Sequence, residues 1–150
     1  MNTTELVELA KRQGYFFMGT SRDNIPHVRA MQMVHVDESG VFFYSRRHKP
    51  VCRQIIKNPS VELCFYDAES TTQVRLSGIA ESLDNDTDRK KLLELNPGAQ
   101  RFVDKEGLNV IMPFKIEQAS AKTICLDTGV EEEWDQVFSA RCRDARRPTS

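Results

Sequence analysis

Apolar and polar positions alternate along this chain in short blocks of two different periods. Near the N-terminus Leu6, Val7, Leu9 and Ala10 recur at helical spacing. Asn2 followed three residues later by Glu5 forms a capping-box pattern, and Gly14 suits the left-handed position after a last turn. Residues 3–12 are therefore predicted to be a short helix. Tyr15 to Thr20 is an apolar run that predicts a buried strand, and Ser21-Arg22-Asp23-Asn24 is turn chemistry. Pro26 to Val36 is β-compatible throughout, and Asp37-Glu38-Ser39-Gly40 turns it into a strand at 41–45. Strand, turn, strand, turn, strand predicts an antiparallel meander.

Pro50 then opens a helix over about 50–57, with Val51, Ile55 and Ile56 as its apolar positions and Asn58-Pro59 as its end. Residues 61–66 predict a fourth strand and 67–71 a polar loop. Residues 72–81 alternate as a fifth strand. Val74, Leu76 and Ile79 are assigned to the packed side, Gln73, Arg75 and Ser77 to the other, and Gly78 to a bulge or bend. Asn85-Asp86-Thr87-Asp88 is an N-cap cluster for a third helix at 86–95, stopped by Asn96-Pro97-Gly98. A helical turn is predicted at 99–106, and a final strand region at 110–112 and 115–126. The segment 128–150 is polar, with Trp134, Val137 and Phe138 as its large apolar groups, and is predicted to be a loose or partner-docked tail. The sum is a mainly β domain over 1–127: about six antiparallel strands with three short accessory helices. A closed or nearly closed barrel best hides the strand edges of so small a chain.

Composition narrows the classes. The 150 residues are 39% hydrophobic and 29% charged with a net charge of −1, as in one ordinary soluble domain. A near-neutral chain is not built to hold a polyanion, so any basic patch is local. The basic stretch Arg141-Cys142-Arg143-Asp144-Ala145-Arg146-Arg147 lacks interleaved aromatics, and no nucleic-acid partner is expected. No apolar run approaches the roughly 18 residues that span a bilayer, so no membrane partner is expected. The polar, acidic N-terminus has no signal-peptide core, and a cytoplasmic location is expected. Cys52, Cys64, Cys125 and Cys142 form no C-x-x-C pair, and Cys64 and Cys125 are predicted to be small core residues. His27, His35 and His48 fall at no recognised metal spacing, so no metal site is expected.

The candidate chemistry starts at Tyr44-Ser45-Arg46-Arg47-His48-Lys49-Pro50. A strand runs into a basic turn, and the turn into a helix N-terminus, where unpaired backbone N–H groups and the helix dipole favour an anion such as phosphate. By itself such a turn reads as a solvated loop. Arg29 likewise reads as an exposed strand residue, and Gln73 with Arg75 as the polar side of an alternating strand.

Taken in order, these segments resemble the pyridoxamine-phosphate-oxidase-like family of flavin-binding split barrels. The resemblance is carried by Arg29-Ala30-Met31-Gln32, by Phe43-Tyr44-Ser45 with the basic turn to Lys49, by Asn58-Pro59, and by Gln73-Val74-Arg75-Leu76-Ser77-Gly78. It covers about residues 5–127 and implies a six-stranded antiparallel split β-barrel binding flavin mononucleotide (FMN). It implies that Arg29, Ser45, His48 and Lys49 serve the phosphate. Ala30, Met31, Gln32 and Tyr44 would lie along the flavin, and Gln73 and Arg75 would sit at its polar edge. It further implies a homodimer with FMN at the subunit interface, which would explain the apolar residues on both faces of strand 41–44. The implied activity is oxidoreduction between a reduced donor, NAD(P)H among the candidates, and a small acceptor. The alternatives are a flavin-binding or electron-carrier protein without turnover, and a deazaflavin- or haem-binding relative. The family's C-terminal substrate-binding segment is not recognisable in 128–150, which argues against pyridoxamine phosphate oxidation itself.

Overall fold

In the computed structural model, which describes residues 1–138, the capping box forms as the sequence predicts. The Asn2 side chain accepts from the Glu5 N–H at 2.9 Å, the Glu5 carboxylate accepts from the Asn2 N–H at 2.9 Å, and α1 (Thr3–Gln13) ends on Gly14 at φ 71°. The elements that follow are β1 (Tyr15–Arg22), β2 (Ile25–Gln32), β3 (His35–Asp37), β4 (Gly40–Arg46), α2 (Pro50–Lys57), β5 (Ser60–Asp67), β6 (Thr72–Ile79) and β7 (Glu81–Ser82). Next come α3 (Asp86–Leu95), α4 (Gln100–Glu106), β8 (Ile111–Ile116), β9 (Ala119–Cys125) and β10 (Glu131–Trp134).

The strands form two antiparallel sheets, one of six strands in the order β10-β9-β6-β5-β1-β2 and one of four in the order β3-β4-β8-β7. Together they make the split barrel. Its interior is aromatic: Phe16 meets Phe43 edge-on at 5.8 Å, Phe43 stacks on Phe114 at 5.4 Å, and Phe16 lies 5.7 Å from Phe65. These contacts join the sheets and fix which side of each strand faces inward. A second apolar cluster lies outside the small sheet, where Leu92 of α3 and Phe102 and Val103 of α4 cover Phe42 and Ile111.

Four expectations are corrected. The predicted strand from Pro26 to Val36 is two strands: β2 pairs with β1 in the large sheet, and after Met33 the chain crosses to pair as β3 with β4. Both halves are β-compatible, so composition does not reveal the crossing. Lys115 to Leu126 is likewise two strands, because the chain recrosses between sheets at Glu117-Gln118. Gly78 sits beneath that recrossing rather than at a bulge. A Cβ there would lie 2.5 Å from the Gln118 carbonyl, and Ile79 beyond it is exposed. Third, both sides of strand 41–44 are covered within one chain, Val41 and Phe43 by the barrel core and Phe42 by the second cluster. Fourth, the segment after 127 is not loose as far as it is described. β10 pairs with β9, and Val137 and Phe138 are buried in the barrel core. The rest of that segment, including Cys142 and the basic stretch 141–147, lies outside the described residues. No helix among the described residues is long and apolar enough to cross a membrane.

The C-terminal packing is testable. Phe138, 1% exposed, should cost about 3–5 kcal/mol of folding stability when cut to Ala, as a buried phenyl does and a tail residue does not. Urea unfolding of Phe138→Ala measures it.

Candidate functional site

β2 is an edge strand, so its two faces see different neighbours. Arg29 pairs in register with Met18, whose side chain is fully buried, and therefore points to the barrel side. There it meets α2. The Arg29 Nη1 donates to the Met18 carbonyl at 3.0 Å, and its Nη2 donates to the Gln54 side-chain carbonyl, which also accepts from Thr20 Oγ1 at 2.7 Å. All three acceptor and donor partners are uncharged. Among the described residues Arg29 has no ion pair, and burial lowers its pKa from the ordinary guanidinium value. A half-buried cation without a counter-charge is costly in the apo chain and is the form an anion site takes.

α2 stands beside it. Pro50 opens the helix as predicted, and Lys49 is its N-cap without any side-chain capping bond. Lys57 at the other end pairs with Asp23 in the β1–β2 turn at 3.3 Å, so α2 starts at the basic turn and ends beside the start of β2. The basic turn itself is divided. Arg46 stacks over the Phe102 ring at 4.4 Å. Arg47 is clamped, donating to Asp84 at 2.8 Å and to the Asn109 carbonyl at 2.9 Å, while its backbone N–H donates to the Val110 carbonyl at 2.7 Å. His48 lies 3.9 Å from Glu106. Lys49 is exposed and makes no ion pair within the described residues. The expected gathering of three or four cations is thereby corrected: two arginines serve the fold, and Lys49 remains as the available charge.

The other predicted residues separate by strand parity. Met31 shares the inward side of β2 with Arg29 and packs against the main core. Ser45 is buried, with its Oγ donating to the Arg46 carbonyl at 3.1 Å. Tyr44 points the opposite way from Ser45, into the α3–α4 cluster, where burial raises its pKa against the opposing pull of Arg101 and Arg46. Ala30 and Gln32 face outward on β2. Gln73 and Arg75 also face outward, since Phe17 pairs with Cys64 and Cys64 with Arg75. Arg75 binds Glu62 at 2.7 Å. That hydrogen bond is the main cause of a lowered Glu62 pKa, so the pair favours the folded state at neutral pH and loses this on acidification through the carboxylate range. Within one chain, then, Arg29 is bonded to α2 at Gln54, while Gln73 and Arg75 lie on the reverse of the same sheet.

The fold that carries these residues is shared with known proteins. The profile of the pyridoxamine 5'-phosphate oxidase family matches residues 3–128. The chain belongs to the pyridoxamine 5'-phosphate oxidase family. A pyridoxine/pyridoxamine 5'-phosphate oxidase from Psychrobacter cryohalolentis is 31% identical over 64 residues, 43% of this chain, and the chain spans 30% of that relative's length. Among solved structures, a NimC/NimA family protein from Clostridium acetobutylicum superposes with a TM-score of 0.74 at 20% identity, covering 88% of this chain and 91% of that one. A pyridoxamine 5'-phosphate oxidase-related, FMN-binding protein from Nostoc punctiforme gives 0.61 at 12% identity, covering 88% and 94%. At these identities the structures speak for the fold of the family and not for its chemistry in this member.

Sequence reasoning missed Gln54, Thr20 and Asp84. Gln54 left a signal: it is a polar residue on the apolar stripe of α2, flanked by Cys52 and Ile55. The cysteines also rearrange. Cys52 is the fully buried one, whereas Cys64 and Cys125 are only half-buried. Cys125 lines a cleft of about 530 Å³ between α1 and the end of β9, and a hydrogen bond from the Thr128 side chain, aided by Thr128 N–H and Thr71, brings its pKa down to about 7. Cys52 and Cys64 are pushed up by burial. With Cys142 replaced by Ser, iodoacetamide should label Cys125 first, at a rate rising about tenfold from pH 6 to pH 8 as the thiolate forms. Peptide mapping identifies the labelled site.

Proposed function

We propose that this chain is an FMN-dependent oxidoreductase and that the flavin's phosphate is gripped between Arg29 and the N-terminus of α2. The observation that carries the reading is the half-buried Arg29 fork, held by uncharged oxygens and bonded at Gln54 to the helix whose N-cap, Lys49, has no ion pair among the described residues. The donor set fits the group. A phosphate monoester near its dianionic form takes a planar fork from Arg29, a mobile charge from Lys49, and backbone donors from the first turn of α2; the Ser45 hydroxyl, buried and donating to the Arg46 carbonyl, would serve only after giving up that bond. His48, exposed at the same turn, adds charge when protonated. The free edge of β2 at Ala30, Met31 and Gln32 supplies unpaired backbone groups and an apolar bed for a flat ring.

When bound, FMN supplies the electron- and hydride-transfer chemistry between a reduced donor, NAD(P)H being the one to test, and a small acceptor. The protein's residues bind the phosphate, orient the ring and keep one edge of it dry. Gln73 and Arg75 reach such a site only from a second copy, because they lie on the reverse of the sheet. That side also exposes Tyr15, Phe17, Tyr66 and, at 76%, Val28, an apolar surface suited to pairing with itself. The exposed apolar surface and the position of Gln73 and Arg75 together support a homodimer with the flavin at its interface, and Tyr44, turned toward α3 and α4, contributes to the wall of the turn rather than to the ring.

The purified protein should be yellow or turn yellow with FMN, and the chromophore released on denaturation separates FMN from a deazaflavin or haem. Arg29→Ala and Lys49→Ala should each weaken FMN by about 10- to 100-fold, the loss of one charge-assisted hydrogen bond, while riboflavin affinity stays level. Equal loss for both ligands places the anion elsewhere. Sustained NAD(P)H oxidation distinguishes an enzyme from a passive carrier. Val28→Glu should convert the dimer to a monomer in sedimentation and make the unfolding midpoint independent of protein concentration.

A further inference from the structure

Gln54 lies on the inward side of α2 and is 7% exposed. Its Oε1 accepts from Thr20 Oγ1 and from Arg29 Nη2. A guanidinium only donates, so this bond fixes the amide's orientation, with Oε1 toward Arg29 and Nε2 turned away. Nε2 donates to no group among the described residues, yet no buried side-chain nitrogen or oxygen there lacks a partner, so the NH₂ group opens onto accessible space. Arg29 uses one N–H on Met18 and one on Gln54, and its remaining N–H groups make no hydrogen bond among the described residues.

We propose that Gln54 is a positioning and specificity residue for the phosphate group: its uncharged carbonyl aims Arg29 without neutralising it, and its free N–H adds a donor for a phosphate monoester. This deepens the reading that Arg29 grips the flavin phosphate and rests on it. A carboxylate at the same place would accept the same two hydrogen bonds, cancel the charge on Arg29 and repel an arriving dianion. An amide is the side chain of this shape that fixes the guanidinium and leaves its charge available. Thr20 completes the arrangement. Its hydroxyl also donates to Oε1, so the carbonyl is held from the β1 side as well as from the β2 side.

The test compares Gln54→Glu and Gln54→Met with the unaltered chain, titrating FMN and riboflavin separately by flavin fluorescence, with ligand-free thermal unfolding as the check of folding. Gln54→Glu keeps the volume and both acceptor bonds and should melt no lower than the parent. Its FMN dissociation constant should rise by about 100-fold or more, the scale of a buried like-charge contact, with riboflavin unchanged. Gln54→Met removes the carbonyl anchor but adds no charge, and should lose about tenfold for FMN alone. If Gln54→Glu does not fold, Gln54→Met gives the same FMN-against-riboflavin comparison. FMN binding by a folded Gln54→Glu at the parent's affinity overturns the proposal, as does equal loss of FMN and riboflavin. Failure of the underlying reading looks different: the parent chain itself then shows no preference for FMN over riboflavin.

Discussion

A guanidinium held below the surface by two oxygens that carry no charge ties the edge of the six-stranded sheet to the helix lying against it. Arg29 bonds the backbone of β1 at Met18 and the side chain of α2 at Gln54, while Lys57 and Asp23 fasten the far end of the same helix. The helix is thereby set along the sheet with its uncapped end toward the basic turn. Desolvation disfavours the charged form of Arg29, and no opposite charge among the described residues offsets it. Most buried cations in this molecule are treated otherwise: Arg89 is surrounded by Asp84 and Asp86, and Lys115 meets Glu117 at 2.8 Å. The contrast sets Arg29 apart as a part-buried cation without an ion pair among the described residues.

The basic turn shows how the same residue types divide between architecture and chemistry. Arg47 closes the gap between β4 and the loops at Asp84 and Asn109, and Asp84 is shared with the buried Arg89. Arg46 lies over Phe102. These two fasten α3 and α4 to the barrel and hold the turn that presents Lys49. A charge count over the heptapeptide therefore overstates its attraction for an anion, and the positioning it provides matters more than its total.

Much of the local structure was legible because its causes are local. The capping box at Asn2 and Glu5, the proline at the start of α2, and the Asn85 cap of α3 are each written within four residues. The order of segments pointed to the family, and the resemblance implied phosphate roles for Arg29 and Lys49 that remain proposals. What escaped was non-local. The crossings after Met33 and at Glu117-Gln118 exchange one sheet for another without any break in β-compatible sequence. Gln54 differs from a solvated glutamine only through Thr20 and Arg29, which are 34 and 25 residues away. The packing of Phe138 likewise depends on a core assembled from the other end of the chain. Arg75 and Gln73 read as neighbours of Arg29 because sequence does not say which side of a sheet a strand presents until its register is known.

The segment that follows β9 returns to where the chain starts. The Thr3 hydroxyl donates to the Val137 carbonyl, and the amino group of Met1 pairs with Glu132 on β10. Helix α1 and the closing strand thus latch one another, so neither can fray without loosening its counterpart. Such mutual anchoring couples the seating of the first helix to the closure of the sheet edge at β10, so that a change weakening either one is felt by the other.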